Sequence, residues 1–275
     1  MPYGTPTTES ALARQVTINT LYKLKSQGER FVMISLYDAH MAAMAQKCGV
    51  EVVLIGDSLG MTVLGYDSTL PVTMEHMIYH VEAVARGNKK SLIVSDLPFM
   101  TYATPEDALR NCARIMQAGA HMVKLEGGAW LAETVTMLAE RGIPVCAHLG
   151  LTPQSVNKFG GFRVQGRTEA AAETILADAK LLADAGADLL VLECVPAALA
   201  AQITASIKIP TVGIGAGKET DAQVLVINDI LGLTEQPPKF SKNFLLEARD
   251  IPGAMQKYVA DVKSGAFPGD DNIFV

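Results

Sequence analysis

Several short apolar runs in this chain end on polar residues that a hydrophobic core does not need. VVLIG runs into Asp57 and Ser58, LIVS into Asp96, MVKLE carries Lys124 and Glu126, VCAH ends at His148, and LLVLE ends at Glu193. Lys124 and Glu126 stand two apart, so on a strand they project from the same face. Three or more carboxylates with little histidine among them suit a hard, oxygen-preferring ion, which points to magnesium rather than zinc. Each residue also has a plain structural use. An acid after a strand commonly caps a helix or sits solvated in a loop. A lysine inside an apolar strand must be paired, and Glu126 could be that partner and nothing more. The convergence of acids, a lysine and an imidazole at the ends of successive runs favours a site over separate accidents.

Other reactive residue types offer less. His76 and His80 are four apart, as a zinc pair on a helix would be, but no HExxH motif accompanies them, so a surface or core role is expected. His40 and His121 carry no distinguishing context. Cys48, Cys112, Cys146 and Cys194 are widely spaced with no C-x-x-C, which reads as buried, reduced thiols. A nucleophilic Cys194 would need a basic partner, and none is near it in sequence. Gly213, Gly215 and Gly217 make a glycine-rich turn where many barrels bind phosphate, but without dinucleotide spacing; a tight barrel rim is expected instead. The 12 methionines are scattered through apolar segments as core filler.

Positioning such residues on one face requires parallel strands, and the sequence repeats a phrase that makes them. A helical stretch ends at glycine and a short apolar run follows: Gly49 before VVLIG, Gly87 before SLIVS, Gly119 before MVKLE, Gly142 before PVCAH, and Gly186 before LLVLE. Glycine suits the left-handed position that ends a helix, and a short apolar run suits a strand buried on both faces. FVMIS at 31–35, PTVGI at 210–214 and QVLVI at 223–227 complete eight strands. Helix starts are expected at Thr73, Thr104 and Thr168, where a hydroxyl can cap the first amides. Thr104-Pro105-Glu106-Asp107 is the clearest, with proline at the first helical position and acids at the positive end of the helix. Eight such units in 275 residues predict an α/β fold, a single (β/α)8 TIM barrel over residues 17–275, with its site at the carboxyl ends of the strands. Residues 1–16 are expected to be flexible. Residues 17–26 read as an N-terminal capping helix on the barrel floor, and PGAMQKYVADVKSG as a helix packed on the barrel or on a neighbouring subunit.

Composition narrows the partners. Hydrophobic residues are 49% and charged residues 19%, enough for a large core with some left for a subunit interface. A net charge of -6 and a pI near 5.4 lack the basic footprint of a nucleic-acid binder. No apolar run approaches the ~18 residues of a membrane helix, and MPYGTPTTES has no basic start or apolar stretch, so a cytoplasmic protein with no membrane partner is expected.

At these same residues the chain resembles the ketopantoate hydroxymethyltransferase family, from about Thr17 to Pro268. The likeness runs through GDSLGMTVLGYDSTLPVT, SDLPFMTYATPEDA, AGAHMVKLEGG, HLGLTPQSVNKFGGFRVQGR, LLVLECVP, VGIGAGKETDAQVLV and PKFSKNF. The resemblance implies a magnesium site using Asp57 and Asp96, with Glu126 contributing directly or through water. It implies contacts to a 2-oxo acid substrate from Asp57, Ser58, Asp96 and Lys124, a nearby His148, and Glu193 as the proton acceptor. It also implies 5,10-methylenetetrahydrofolate as co-substrate and a large homo-oligomer, decameric in the family. Four positions depart from the family pattern: Leu36, Ala147, Ala222 and Asn228. None is a proposed metal ligand or the base.

These roles predict a mechanism in which magnesium acidifies the methine next to the 2-oxo group of 3-methyl-2-oxobutanoate and Glu193, desolvated and so raised in pKa, removes its proton. Lys124 would offer positive charge to the substrate carboxylate or the developing enolate. The nearest enzymatic alternative is a lyase or mutase of the phosphoenolpyruvate mutase and isocitrate lyase type, which shares the barrel and metal logic; the cysteine-bearing loop of the lyases is not found. A non-catalytic binding barrel is the alternative from another class, and it has no use for a desolvated Glu193.

Overall fold

Residues 11–274 are described by the computed structural model. The eight strands are β1 (Phe31–Ser35), β2 (Val52–Ile55), β3 (Leu92–Asp96), β4 (Met122–Glu126), β5 (Val145–Gly150), β6 (Leu189–Glu193), β7 (Thr211–Ile214) and β8 (Ala222–Val226). They close in sequence order, β1 pairing with β8, and every pair is parallel.

Alternation along each strand builds two cores. Residues such as Phe31, Met33, Val52, Leu54, Leu92, Val94, Met122, Leu189 and Val191 point inward and fill the barrel. Their neighbours, among them Val32, Ile34, Val53, Ile93, Val123, Leu190 and Leu192, pack outward against the helices. The strands therefore read as continuous apolar runs, because both faces are buried. Leu36 and Ala147 belong to this outer packing and Ala222 to the inner, so those family departures fall in the core.

The helices start where capping residues predict. Thr73, Thr104 and Thr168 accept from the amides of His76, Asp107 and Ala171, heading Met74–Gly87, Pro105–Gln117 and Glu169–Asp184. Asp38 does the same for Ala39–Lys47, which makes it a structural acid. The helix Ile18–Gln27 closes the barrel floor with Leu21 packed among the inward-facing residues. Lys25 Nζ fastens that helix to Asp221 Oδ2 at 2.8 Å. The residues just before it are also tied down: Lys90 Nζ donates to the carbonyls of Leu12 and Ala13, and Val16 N donates to Lys90 O. The rest of the expected flexible segment, residues 1–10, lies outside the described residues.

One crossover differs from the expected helix-and-strand alternation. β7 and β8 are joined by residues 215–221 with no helix between them. Strands this short rise only about 3.3 Å per residue, so an extended loop is long enough to return to the floor. The glycine-rich turn is thus a packed rim, as expected: Gln223 Nε2 donates to Gly217 O at 2.9 Å, and Thr211 N to Asp221 Oδ2 at 2.8 Å. At the carboxyl end of the chain, Ile251–Ser264 packs on the barrel, with Tyr258 buried and its hydroxyl donating to Met33 O at 3.3 Å. No helix among the described residues is long and apolar enough to cross a membrane.

Candidate active site

The inward face of the strands changes character from floor to rim. On β4 it reads Met122, Lys124, Glu126; on β3, Leu92, Val94, Asp96; on β6, Leu189, Val191, Glu193. The polar end opens into a cavity of about 560 Å³. Asp57, Ser58, Asp96, Lys124, Glu126, His148 and Glu193, all expected from the sequence, line it together. Strand register makes them neighbours: Asp96 is opposite Lys124, Glu126 opposite His148, and Gly150 opposite Glu193.

Lys124 is only 4% exposed, and its first partner is not the one that strand spacing suggested. Its Nζ lies 2.7 Å from Asp96 Oδ1 on the next strand and 3.8 Å from Glu126 Oε1. Side chains two apart on one strand project in parallel, whereas residues in register on neighbouring strands face each other. Burial works against the ammonium, but Asp96, Glu126 and Asp57 outweigh it and hold Lys124 above its ordinary value. Asp57 is pushed well above the usual carboxylate range, first by burial and then by the negative charges of Asp96 and Glu126. Three buried carboxylates thus share one buried lysine, and the crowding of like charge falls on Asp57.

Asp57 and Asp96 stand side by side at the carboxyl ends of β2 and β3. Asp57 N donates to Asp96 Oδ2 at 3.0 Å, and Asp57 Oδ2 accepts from Gln154 Nε2 at 2.8 Å. Glu126 has both oxygens engaged, Oε1 by His148 Nδ1 at 3.2 Å and Oε2 by Gln154 N at 3.0 Å, and Asp96 likewise, Oδ1 by Lys124 Nζ at 2.7 Å and Oδ2 by Asp57 N, so a cation would meet these two acids through water or by displacing a bond. No group of three or more His, Cys, Asp or Glu side chains among the described residues forms a metal cage. An ion that takes one or two carboxylates and keeps waters fits this arrangement, and magnesium is such an ion.

His148 sits between two glutamates. Its Nδ1 donates to Glu126, and its Nε2 lies 3.3 Å from Glu193 Oε2 without hydrogen-bond geometry, leaving that buried nitrogen without a bonded partner among the described residues. Burial and the Lys124 charge push the imidazole down, while Glu126 and Glu193 overcome both and raise it. The Glu193 side chain keeps 14% exposure, so its desolvation is less complete than the sequence suggested. Gly150 makes room for it: a Cβ there would lie 2.2 Å from the Glu193 carbonyl oxygen, in backbone of φ +92°. Cys194 follows at φ 47°, buried, with its thiol pushed up first by burial and then by Glu193, which leaves it no thiolate character.

Sequence reasoning missed the residues that hold this set in place. Gln154 is buried and bridges Asp57, Glu126 and the Leu97 carbonyl, and Tyr102 Oη donates to its Oε1. Ser58 Oγ is paired with Tyr37 Oη at 2.9 Å, which in turn accepts from Ser35 Oγ at 3.2 Å. Gln154 lies in the single 3-10 turn Pro153–Ser155 and Tyr102 in a turn after β3, segments too short for any periodicity to mark them. The histidines set aside earlier are structural: His76 Nδ1 accepts from Thr73 N, His80 Nδ1 bonds the Tyr37 carbonyl, and His121 Nδ1 accepts from Ile93 N.

The barrel resembles those of solved enzymes. Against 2,3-dimethylmalate lyase, a phosphoenolpyruvate mutase/isocitrate lyase superfamily member, the TM-score is 0.55 at 16% identity, covering 76% of this chain and 80% of that one. Against phosphonopyruvate hydrolase in complex with oxalate and Mg²⁺ it is 0.59 at 12% identity, covering 94% and 93%. At such identities the likeness shows the fold alone. Sequence relatives are far closer. The 3-methyl-2-oxobutanoate hydroxymethyltransferase of Saccharophagus degradans is 74% identical over 97% of this chain and 99% of its own length, and that of Marinobacter nauticus is 57% identical over 94% and 98%. The model of the ketopantoate hydroxymethyltransferase family matches residues 15–270, a span that contains every residue of the cluster just described. With that match running through nearly the whole barrel, the chain belongs to the ketopantoate hydroxymethyltransferase family.

Proposed function

We propose that this chain transfers a hydroxymethyl group from 5,10-methylenetetrahydrofolate to 3-methyl-2-oxobutanoate, giving 2-dehydropantoate and tetrahydrofolate in the biosynthesis of pantothenate and coenzyme A. One observation carries the reading: the Glu193 carboxylate lines a single cavity together with buried Asp57, Asp96, Glu126 and Lys124. Magnesium, held by Asp57 and Asp96 when bound, would supply the Lewis acidity that draws charge from the 2-oxo group. The remaining work falls to the side chains. Lys124, buried and positively charged, offers a fixed counter-charge to the substrate carboxylate or the forming enolate oxygen, at no cost of reorganisation during the reaction. Glu193 takes the proton from the carbon next to the ketone, and the electron pair of that C–H bond becomes the enolate. That pair then forms the new bond to the one-carbon unit as its two C–N bonds to the folate break, water supplies the hydroxyl oxygen in the net reaction, and the folate nitrogens take up the methine proton and one proton of that water. His148, bonded to Glu126 through Nδ1, places its Nε2 3.3 Å from Glu193 Oε2, where it supplies a neighbouring charge rather than a bond.

Proton removal needs no folate, so it can be read separately. In heavy water with magnesium and 3-methyl-2-oxobutanoate, the wild-type protein should exchange the methine hydrogen for deuterium, followed by proton NMR, and a chelator should stop it. Glu193→Gln keeps the shape and removes the base, and should slow exchange ~10²- to 10⁴-fold. Undiminished exchange in that variant would assign the base to another group, His148 first.

A further inference from the structure

The cavity is much larger than a small 2-oxo acid requires, and its far side has its own chemistry. At the carboxyl end of β8 the carboxylate of Asp229, 7% exposed, faces into it. Asp229 Oδ1 accepts from the Thr234 hydroxyl, and Oδ2 takes no hydrogen bond from any described residue. Burial pushes this carboxyl up against the effect of that one bond. Aromatic side chains line the same cavity. Phe240 and Phe274 lie against the backbone of Gly215, where a Cβ would come within 3.0 Å of each ring, and Phe162, 55% exposed, stands at the mouth. β8 pairs with β1, Ser35 lies opposite Val226, and Ser35 and Asp57 line the same cavity, so a single strand separates Asp229 from the strand that leads into Asp57.

A buried carboxylate with an unused oxygen, set beside flat apolar surfaces, recognises a planar heterocycle that presents two adjacent N–H donors. The 2-amino-4-oxo edge of a pterin is such a group. We propose that Asp229 accepts from the N3–H and 2-amino groups of the reduced pterin of the one-carbon donor, with Phe240 and Phe274 walling the ring so that its one-carbon unit faces the acid cluster. This rests on the folate reading above and assigns the place of that co-substrate in the cavity.

The probe is tetrahydrofolate itself, titrated by calorimetry in the presence of magnesium, with its 2-deamino analogue alongside. Wild-type protein should bind tetrahydrofolate more tightly than the analogue. Asp229→Asn keeps the oxygen that Thr234 bonds but replaces an acceptor with a donor, and should weaken tetrahydrofolate binding about 10- to 100-fold, remove the discrimination against the analogue, and raise KM for the donor rather than for 3-methyl-2-oxobutanoate. Thr234→Val reports the alternative in which Asp229 only anchors its loop: if both variants lose donor binding equally, the role is structural and the proposal falls. Equal tetrahydrofolate binding in wild type and Asp229→Asn also overturns it. Wild-type protein that exchanges the methine hydrogen yet binds no tetrahydrofolate would overturn the folate reading and this subsite together, whereas binding that the analogue matches in wild type overturns the subsite alone.

Discussion

Asp57 and Asp96 have the same chemistry and sit on adjacent strand ends, yet the structure gives them different burdens. Asp96 is the 2.7 Å partner of buried Lys124, while Asp57 is bonded through Gln154 and crowded by like charge. Asp57→Ala and Asp96→Ala should each abolish magnesium-dependent binding of 3-methyl-2-oxobutanoate in a calorimetric titration; normal affinity in either variant would remove that residue from the cation site. Their stabilities should differ. Removing Asp96 strips a buried cation of its main partner, a loss of about 3 kcal/mol or more, whereas removing Asp57 relieves repulsion and costs little. Urea unfolding of the metal-free variants checks this order, and equal midpoints would show that Lys124 draws on the whole cluster rather than on Asp96.

At the scale of elements, the site depends on how β5 and β6 approach each other at their carboxyl ends. Leu151 N donates to the Glu193 carbonyl at 2.8 Å, and the backbone at Gly150 passes so close to that oxygen that no side chain fits. Gly150→Ala should destabilise the protein by more than ~1 kcal/mol, because the backbone conformation suits only glycine and the new methyl group meets a carbonyl. It should also slow methine exchange by shifting the strand end that carries Glu193, even under conditions where circular dichroism shows the variant folded. Wild-type exchange in a folded Gly150→Ala protein would mean that Glu193 does not depend on this contact. The helices contribute less directly: capped at Thr73, Thr104 and Thr168, they set the strand spacing but place no side chain in the acid cluster.

For the whole molecule, the exposed apolar surface matters most. Trp130 and Met100, 60% and 62% exposed, stand with Phe99 around a small hollow of about 80 Å³ that reaches Glu126 and Gln154 from behind. Trp130 is stacked on Tyr102, with ring centroids 6.1 Å apart. A contiguous patch of this kind next to the residues that position the site is a candidate subunit contact. We propose that the chain works as a homo-oligomer, with a second copy covering this face. Sedimentation velocity should give a mass several times 29.3 kDa, and Met100→Glu should shift it downward; a single species of 29.3 kDa in wild type would end this reading.

The sequence by itself determined the strands, the helix caps and which polar residues stand at the strand ends, because each is a local matter. Apolar runs buried on both faces, threonines before helices and polar residues at strand ends keep their signature whatever surrounds them, and the family resemblance attached roles to those polar residues. The tertiary structure decided pairing. Lys124 turned to Asp96 across the strands rather than to Glu126 along its own, since register, which sequence spacing does not reveal, decides which side chains face each other. Gln154 and Tyr102 became visible only once the segments after β5 and β3 folded over the acids, because a residue in such a short connecting segment acquires its neighbours from distant parts of the chain. The same holds for Asp229, whose carboxylate means nothing in the sequence and gains its setting from closure of β8 onto β1, which brings the last strand to the same cavity as the second.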